Sequence, residues 1–442
     1  MENKDFLEIL DKELVVALGC TEPVSIALAA AVARKYIKKD DDISLEVSAS
    51  GNIIKNAMGV YIPGTGKTGM NLAAALGSLG DSDRNLEVLC GLKLSDIEIA
   101  AEMISEGRVS VKKADTTKKL YIEVIARSKD SYAKVILEDR HSNITYIEVD
   151  GEIIVGGDEE KYVEESFEYP NLNIDSIWKF VEEVDLDSLG KIEESLRLNT
   201  LIGVEGIRNG YGLKVGKTIF DSMHDGSSSN DMVNYAIALT AGGSDARMAG
   251  SVMKVMSNSG SGNQGITATL PLVAYWERLH LPKDMLLRAT TLSQLVTIYI
   301  KSKFGRLSAL CGATIAATGA SCGLTYLMGG GKKEATAAIQ NMLGNVTGML
   351  CDGAKGGCAL KVATCTSAAC MSAKLAMNGI SIGCTEGIIE NDAEKTIDNL
   401  CRLGNQGSLE TERIILDIML NKENMSQQQV SDKAKKENIK GC

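Results

Sequence analysis

The chain has 442 residues, 44% of them apolar and 24% charged, enough for two or three domains with a sizeable core. Its formal net charge of −11 argues against a nucleic-acid binder and against a protein that docks on anionic membranes. Eleven cysteines, with a charged and amphipathic start (MENKDFLEIL) unlike a secretion signal, predict reduced thiols in the cytoplasm, some of them metal-bound, rather than disulfides.

Residues 4–19 read as an amphipathic helix ending at Gly19. Gly19-Cys20-Thr21-Glu22-Pro23 then leads into the apolar run VSIALAAAVARKYI. Pro23 suits a first helical turn and Thr21 a cap, so Cys20 would sit at a helix N-terminus. There the amide groups and the dipole favour a reactive thiolate or a bound carboxylate, although a capped buried helix with an inert thiol fits the same residues. Residues 43–50 alternate like a strand. Pro63 to Gly69 resembles the end of a phosphate-binding loop, but Tyr61 stands where that pattern needs glycine, which leaves a glycine-rich turn entering a helix.

From about residue 85 the pattern changes. A helix over LSDIEIAAEMISEG precedes period-two strands at VSVKKA, KLYIEVIAR, YAKVILED and ITYIEVDGEII. His141 falls in a turn between two of them and is expected to be exposed. An acidic stretch over 156–175 reads as a linker. Beyond it, helical spacing covers 176–199, 231–256, 266–280, 283–303, 333–350, 360–378 and 410–421. The expected fold is therefore α+β: a mainly helical catalytic body from 1–85 and 176–442, with an antiparallel sheet plus helix inserted at 86–175. The polar loop Ser257–Gly265 is unusually rich in glycine and serine for an interhelical connection and offers donors to a carboxylate or an amine.

Six cysteines lie between Leu307 and Cys370: Cys311, Cys322, Cys351, Cys358, Cys365 and Cys370. No CxxC pair exists in the chain, so a zinc ribbon is excluded, but thiolates of an iron–sulfur cluster need only converge in space. Cys351 precedes the turn signal Asp352-Gly353, and Gly356-Gly357 precede Cys358, so this pair flanks a glycine turn. The alternative is that cysteine serves here as a small apolar core residue. The uncharged run 307–331 is too rich in Gly, Ala, Ser, Thr and Cys for a membrane span.

GCTEPVSIALAAA at 19–31, SGSGNQGI at 259–266, LSALCGA at 307–313 and MLCDGAKGGCALK at 349–361 resemble the L-cysteine desulfidase family, a branch of the iron–sulfur serine dehydratase alpha-chain group. That resemblance implies a 4Fe–4S enzyme that converts L-cysteine to pyruvate, ammonia and sulfide without pyridoxal phosphate. Family cysteines correspond to Cys20, Cys311 and Cys351, and Cys358 also matches a family position. The related dehydratases place a cluster cysteine where this chain has Gln264, so one ligand comes from elsewhere and Cys358 is the candidate. Cys20 then faces substrate as the catalytic residue. In the competing assignment Cys20 is the ligand and Cys358 a bystander. Thr21, Glu22, Ser261, Asn263 and Gln264 are the expected substrate-binding residues. L-Serine, or another β-substituted amino acid, is the alternative substrate, and a thiol or iron–sulfur sensor or sulfur carrier is the non-enzyme alternative. No nucleic-acid or membrane partner is expected, and a homo-oligomer is compatible with the sequence.

Overall fold

The computed structural model describes residues 1–38, 42–156, 169–304 and 310–422. The residues 307–309 of the LSALCGA motif, most of the acidic linker and the tail with Cys442 lie outside the described residues.

Helix α1 (Asn3–Glu13) buries Phe6, Ile9, Leu10 and Glu13, one face at helical spacing. It stops six residues short of Gly19 because Val16–Leu18 form strand β1, which pairs antiparallel with a later strand. Helix α2 (Thr21–Lys35) follows, buried on every side from Thr21 to Ala33. Next come β2 (Ser44–Ala49), α3 (Gly51–Ala57), α4 (Met70–Gly77) and α5 (Leu94–Ser105). Strands β3 (Val109–Lys113), β4 (Tyr121–Arg127), β5 (Tyr132–Glu138), β6 (Ile144–Val149) and β7 (Glu152–Val155) complete a sheet of order β3-β2-β4-β5-β6-β7.

Two expectations are corrected by this sheet. It is mixed rather than antiparallel, because β2 runs parallel to β3. The boundary at residue 85 also fails, since β2 lies inside the sheet against β4. Residues of α2, α3, α4 and α5 share one apolar core with the sheet, whose strands β4 and β5 bury alternate side chains. Among the described residues of the first 85, those that join the main helical core lie in α1 and β1, with Leu14 between them. The period-two signal of β2 was visible; which sheet it joins depends on long-range pairing that a local pattern does not contain.

The helical body comprises α6 (Ile174–Glu183), α7 (Gly190–Asn209), α8 (Val215–His224), α9 (Met232–Met248), β8 (Lys254–Met256), α10 (Gly262–Leu279), α11 (Lys283–Phe304), α12 (Gly312–Leu327), α13 (Lys332–Asn345), α14 (Cys358–Met377) and α15 (Ala393–Arg402). The uncharged run becomes α12, enclosed by α10, α11, α13 and α14. Small residues set these crossings: a Cβ on Gly206 of α7 would lie 1.8 Å from the carbonyl oxygen of Gly242 in α9. A last helix over 409–422 returns to the sheet side, where Leu416 joins the sheet core.

The helix expected over 231–256 ends early, and residues 254–256 become β8, the partner of β1. The backbone beyond this ribbon stays tied, with Ser257 N donating to Val15 O at 2.9 Å and Ser259 N to Glu13 O at 3.0 Å. The ribbon thereby sets the GCTEP segment beside the 257–265 loop, although the two are more than two hundred residues apart in the chain.

Candidate active site between the two cores

A cavity of about 100 Å³ opens where the sheet core and the helical core meet. The N-terminus of α2 forms one wall. Cys20 caps the helix with extended backbone, but its thiol makes no capping bond; Sγ donates to Glu22 Oε2 at 3.0 Å. Thr21 Oγ1 lies 3.1 Å from the same carboxylate oxygen and 2.8 Å from Gly260 O. Burial raises the Cys20 pKa well above that of an ordinary thiol, and the Glu22 charge adds to the rise against a smaller opposing effect of Arg247. Burial thus opposes the thiolate that the helix dipole favours at Cys20. Burial works against the Glu22 anion as well, but His141 and the Cys20 thiol outweigh it and hold its pKa at about 2.

Arg247, at the end of α9, is buried, and its Nε donates to Gly19 O at 3.1 Å. Gly19 has φ +72, and a Cβ there would stand 2.4 Å from Pro63 Cγ. A Cβ on Gly262 would stand 2.2 Å from Arg247 Nε. Two motif glycines thus clamp one guanidinium, and the 63–69 turn buttresses the first of them without lining the cavity. Among the described residues no carboxylate pairs with Arg247. Beside it, Asn263 Oδ1 is buried with no hydrogen-bond partner among the described residues. Ser261 and Gln264 also line the cavity, but Ser261 Oγ caps α10 by accepting from Gln264 N at 3.4 Å, and Gln264 Nε2 donates to Asn258 O at 3.3 Å. These bonds shape the loop.

The opposite wall carries three thiols. Leu310 and Leu350 form an antiparallel bridge, and Cys311 N donates to Met349 O at 2.9 Å, which puts Cys311 and Cys351 side by side. Cys358 opens α14 across the glycine turn, its Sγ 3.8 Å from Gly353 O. Burial, then the neighbouring Cys351, Cys365 and Cys358 thiols, push the Cys311 pKa far up. Burial raises the Cys358 pKa as well. Lys361 lies close by, donating to Leu350 O at 2.7 Å and pairing with Asp352, which also pairs with Lys355. Burial opposes the Asp352 anion, but the two lysines hold its pKa at about 2.

Three neighbouring thiols, two of which (Cys311 and Cys358) burial disfavours as thiolates, are suited to a cation, which inverts that balance. As a donor set they fit a soft metal or an iron–sulfur cluster. Among the described residues no three His, Cys, Asp or Glu side chains already stand grouped as a finished metal site. The thiols of Cys322 and Cys370 lie in helix interiors, where burial raises both to about 12. Cys365 is also buried away from the cavity, 3.8 Å from Thr314 Oγ1.

All nine sequence-derived site residues line this cavity: Cys20, Thr21, Glu22, Ser261, Asn263, Gln264, Cys311, Cys351 and Cys358. Sequence reasoning missed Arg247, Asn56, Lys301 and His141, which also line it. The signal for Arg247 was present as a lone cation in an otherwise small and apolar helix, AIALTAGGSDARMAG. For His141 the expectation was wrong. It is 5% exposed, because the β5–β6 turn docks against the N-terminus of α2 and brings Nε2 within 3.9 Å of Glu22 Oε1. No helix among the described residues is long and apolar enough to cross a membrane.

The serine dehydratase alpha chain family model matches residues 93–417. The chain is 48% identical over 427 residues to a UPF0597 protein of Oleidesulfovibrio alaskensis, covering 94% of this chain and 98% of that relative. It is 44% identical over 419 residues to a UPF0597 protein of Clostridium perfringens, again covering 94% and 98%. A UPF0597 protein of Bacteroides thetaiotaomicron is 41% identical over 423 residues, covering 95% and 98%.

Proposed function

This chain belongs to the serine dehydratase alpha chain family, and from that premise we propose that it is a 4Fe–4S-dependent lyase that converts L-cysteine to pyruvate, ammonia and sulfide by β-elimination. The observation that carries the reading is a single cavity with three thiols on one wall and an unpaired guanidinium beside an orphaned amide oxygen on another. Cys311, Cys351 and Cys358 would hold the cluster, and Lys361 would offset their charge. When bound, such a cluster supplies an open iron as a Lewis acid for the leaving group.

The chain's own side chains would bind and orient the amino acid. Arg247 is placed to take the α-carboxylate in a bidentate fork. Asn263 Oδ1 would accept from the α-ammonium, with the Thr21 hydroxyl close by. Cys20, whose thiol donates to Glu22 and which burial disfavours as a thiolate, would face the substrate rather than serve as a resting base. Burial between the two cores would exclude bulk water and strengthen each of these contacts. We place the activity in the cytoplasm, where reduced thiols persist.

The family's own description favours L-serine as a second reading, with loss of water in place of sulfide. One anaerobic assay tests both. Protein reconstituted with iron and sulfide, then freed of excess sulfide, is given L-cysteine or L-serine. Equal amounts of pyruvate and sulfide from cysteine, faster than pyruvate from serine, are expected. Preferential turnover of serine would replace the first reading by the second. Turnover of neither would overturn the lyase and favour an iron–sulfur sensor or sulfur carrier.

A further inference from the structure

The elimination needs a group to accept the α-proton, and the cavity's titratable side chains differ sharply in their fitness for it. Cys20 is buried, with its thiol proton committed to Glu22. Glu22 is a strongly acidic carboxyl and hence a weak base. Lys301 has an interaction of its own. The thiols of the opposite wall are the cluster donors. His141 remains. The chain's other two histidines stand apart from the cavity: His224 Nδ1 lies 2.8 Å from Phe220 O on an exposed helix, and His280 ends α10 in a left-handed turn.

The placement of His141 has a cost that folding alone does not explain. Hairpin tips are ordinarily solvated. This one is held by its own bonds, with Asn143 Nδ2 donating to Glu138 O at 3.0 Å and Lys118 pairing with Glu138 at 2.6 Å. Asp139, at φ +65, turns the chain so that the ring beyond it is buried. Neither ring nitrogen has a hydrogen-bond partner among the described residues. A buried imidazole with both nitrogens unsatisfied is unfavourable unless something not part of the chain meets it. Glu22 Oε2 is occupied by Cys20, while Oε1 faces His141 Nε2 at 3.9 Å, an ion-pair contact that orients the ring and keeps the Glu22 carboxyl acidic. An imidazole that turns its Nε2–H toward that carboxylate leaves the lone pair of Nδ1 free.

We infer that His141, delivered by the β5–β6 turn and oriented by Glu22, is the catalytic base that takes the α-proton of the amino-acid substrate; this rests on the elimination reading above. The Cα–H bond breaks and its proton passes to the imidazole. The released electron pair forms the Cα–Cβ double bond as the Cβ–S bond breaks, and sulfur leaves as hydrosulfide with its bonding pair. The 2-aminoacrylate tautomerises to an imine, water adds, ammonia departs, and pyruvate remains. The imidazolium returns its proton to solvent. The sheet unit thus takes part in the chemistry.

The test uses full-length reconstituted protein and the variants H141Q and H141A, with L-cysteine as substrate. The expected result is a kcat lower by about 10²–10⁴-fold in H141Q with KM and iron content unchanged, and partial recovery of H141A by added imidazole. L-Alanine, which has no leaving group, should bind wild type and H141Q alike in calorimetry. A wild-type kcat in H141Q, a kcat that falls only in step with iron content, or no rescue of H141A by imidazole would overturn the inference. A wild type that turns over neither cysteine nor serine would remove the elimination reading itself, and this inference with it.

Discussion

Arg247 and Asn263 carry the binding half of the account, and each makes a separate prediction. Truncating Arg247 to Ala would leave a substrate carboxylate without its charged partner, a loss of about 1.5–3 kcal/mol, or roughly 10- to 150-fold in kcat/KM. R247K, which keeps the charge and loses the planar fork, should fall between. Both should retain iron; an unchanged KM in R247A would place the carboxylate elsewhere. For N263A the loss should be about 1–3 kcal/mol, about 5- to 150-fold in kcat/KM with the iron intact. Unchanged kinetics would remove the 257–265 loop from the site. Glu22 adds a prediction about stability. Its carboxyl lies at about 2 against roughly 4.3 in an unfolded chain. The anion therefore stabilises the fold above about pH 4.3, and that contribution disappears as the pH falls toward about 2. E22Q lacks it, so the difference in Tm between wild type and E22Q should be widest near pH 7 and narrow as the pH drops below 4. A difference that stays constant would contradict the carboxylate's role.

Among the elements, the close crossing of α7 and α9 depends on the absence of side chains. A Cβ on Gly206 would meet backbone of Gly242 on two atoms within 2.2 Å, and one on Gly216 of α8 would stand 2.2 Å from Gly242 N. G206A should force the helices apart and lower stability by about 1–3 kcal/mol or more. Denaturant unfolding measures this, and a neutral result would mean that the crossing is not a fixed contact. Close helix approach through small residues was legible from the glycine and alanine content, as were most helices of the body and strands β2 to β5, while the β6–β7 hairpin was read as one strand. The short ribbon of β1 and β8 was not. Each strand is three residues long, and both were absorbed into neighbouring helical patterns. Their pairing depends on segments far apart in the chain. The cavity-lining cysteines were legible through their glycine turns and motif company. His141 was not, because hairpin tips are usually solvent-facing and its burial arises from docking on α2.

At the scale of the whole molecule, two apolar cores meet at a polar seam, and that seam holds the thiols, the guanidinium and the imidazole. The expected division into a catalytic body and an inserted subdomain gives way to two units that both line the cavity. Cys20, Val60 and Met248 form a small buried cluster joining them, with Ala354 and Cys358 packed against it. Cys20 and Cys358 thus approach the cavity from different units. The most direct test is iron and acid-labile sulfide bound per chain after anaerobic reconstitution, measured for wild type and for C20A, C311A, C351A and C358A. The account predicts about four iron atoms in wild type, the same in C20A, and loss of iron in the other three. A wild type that binds no iron, or a C20A that loses it while C358A keeps it, would contradict the account.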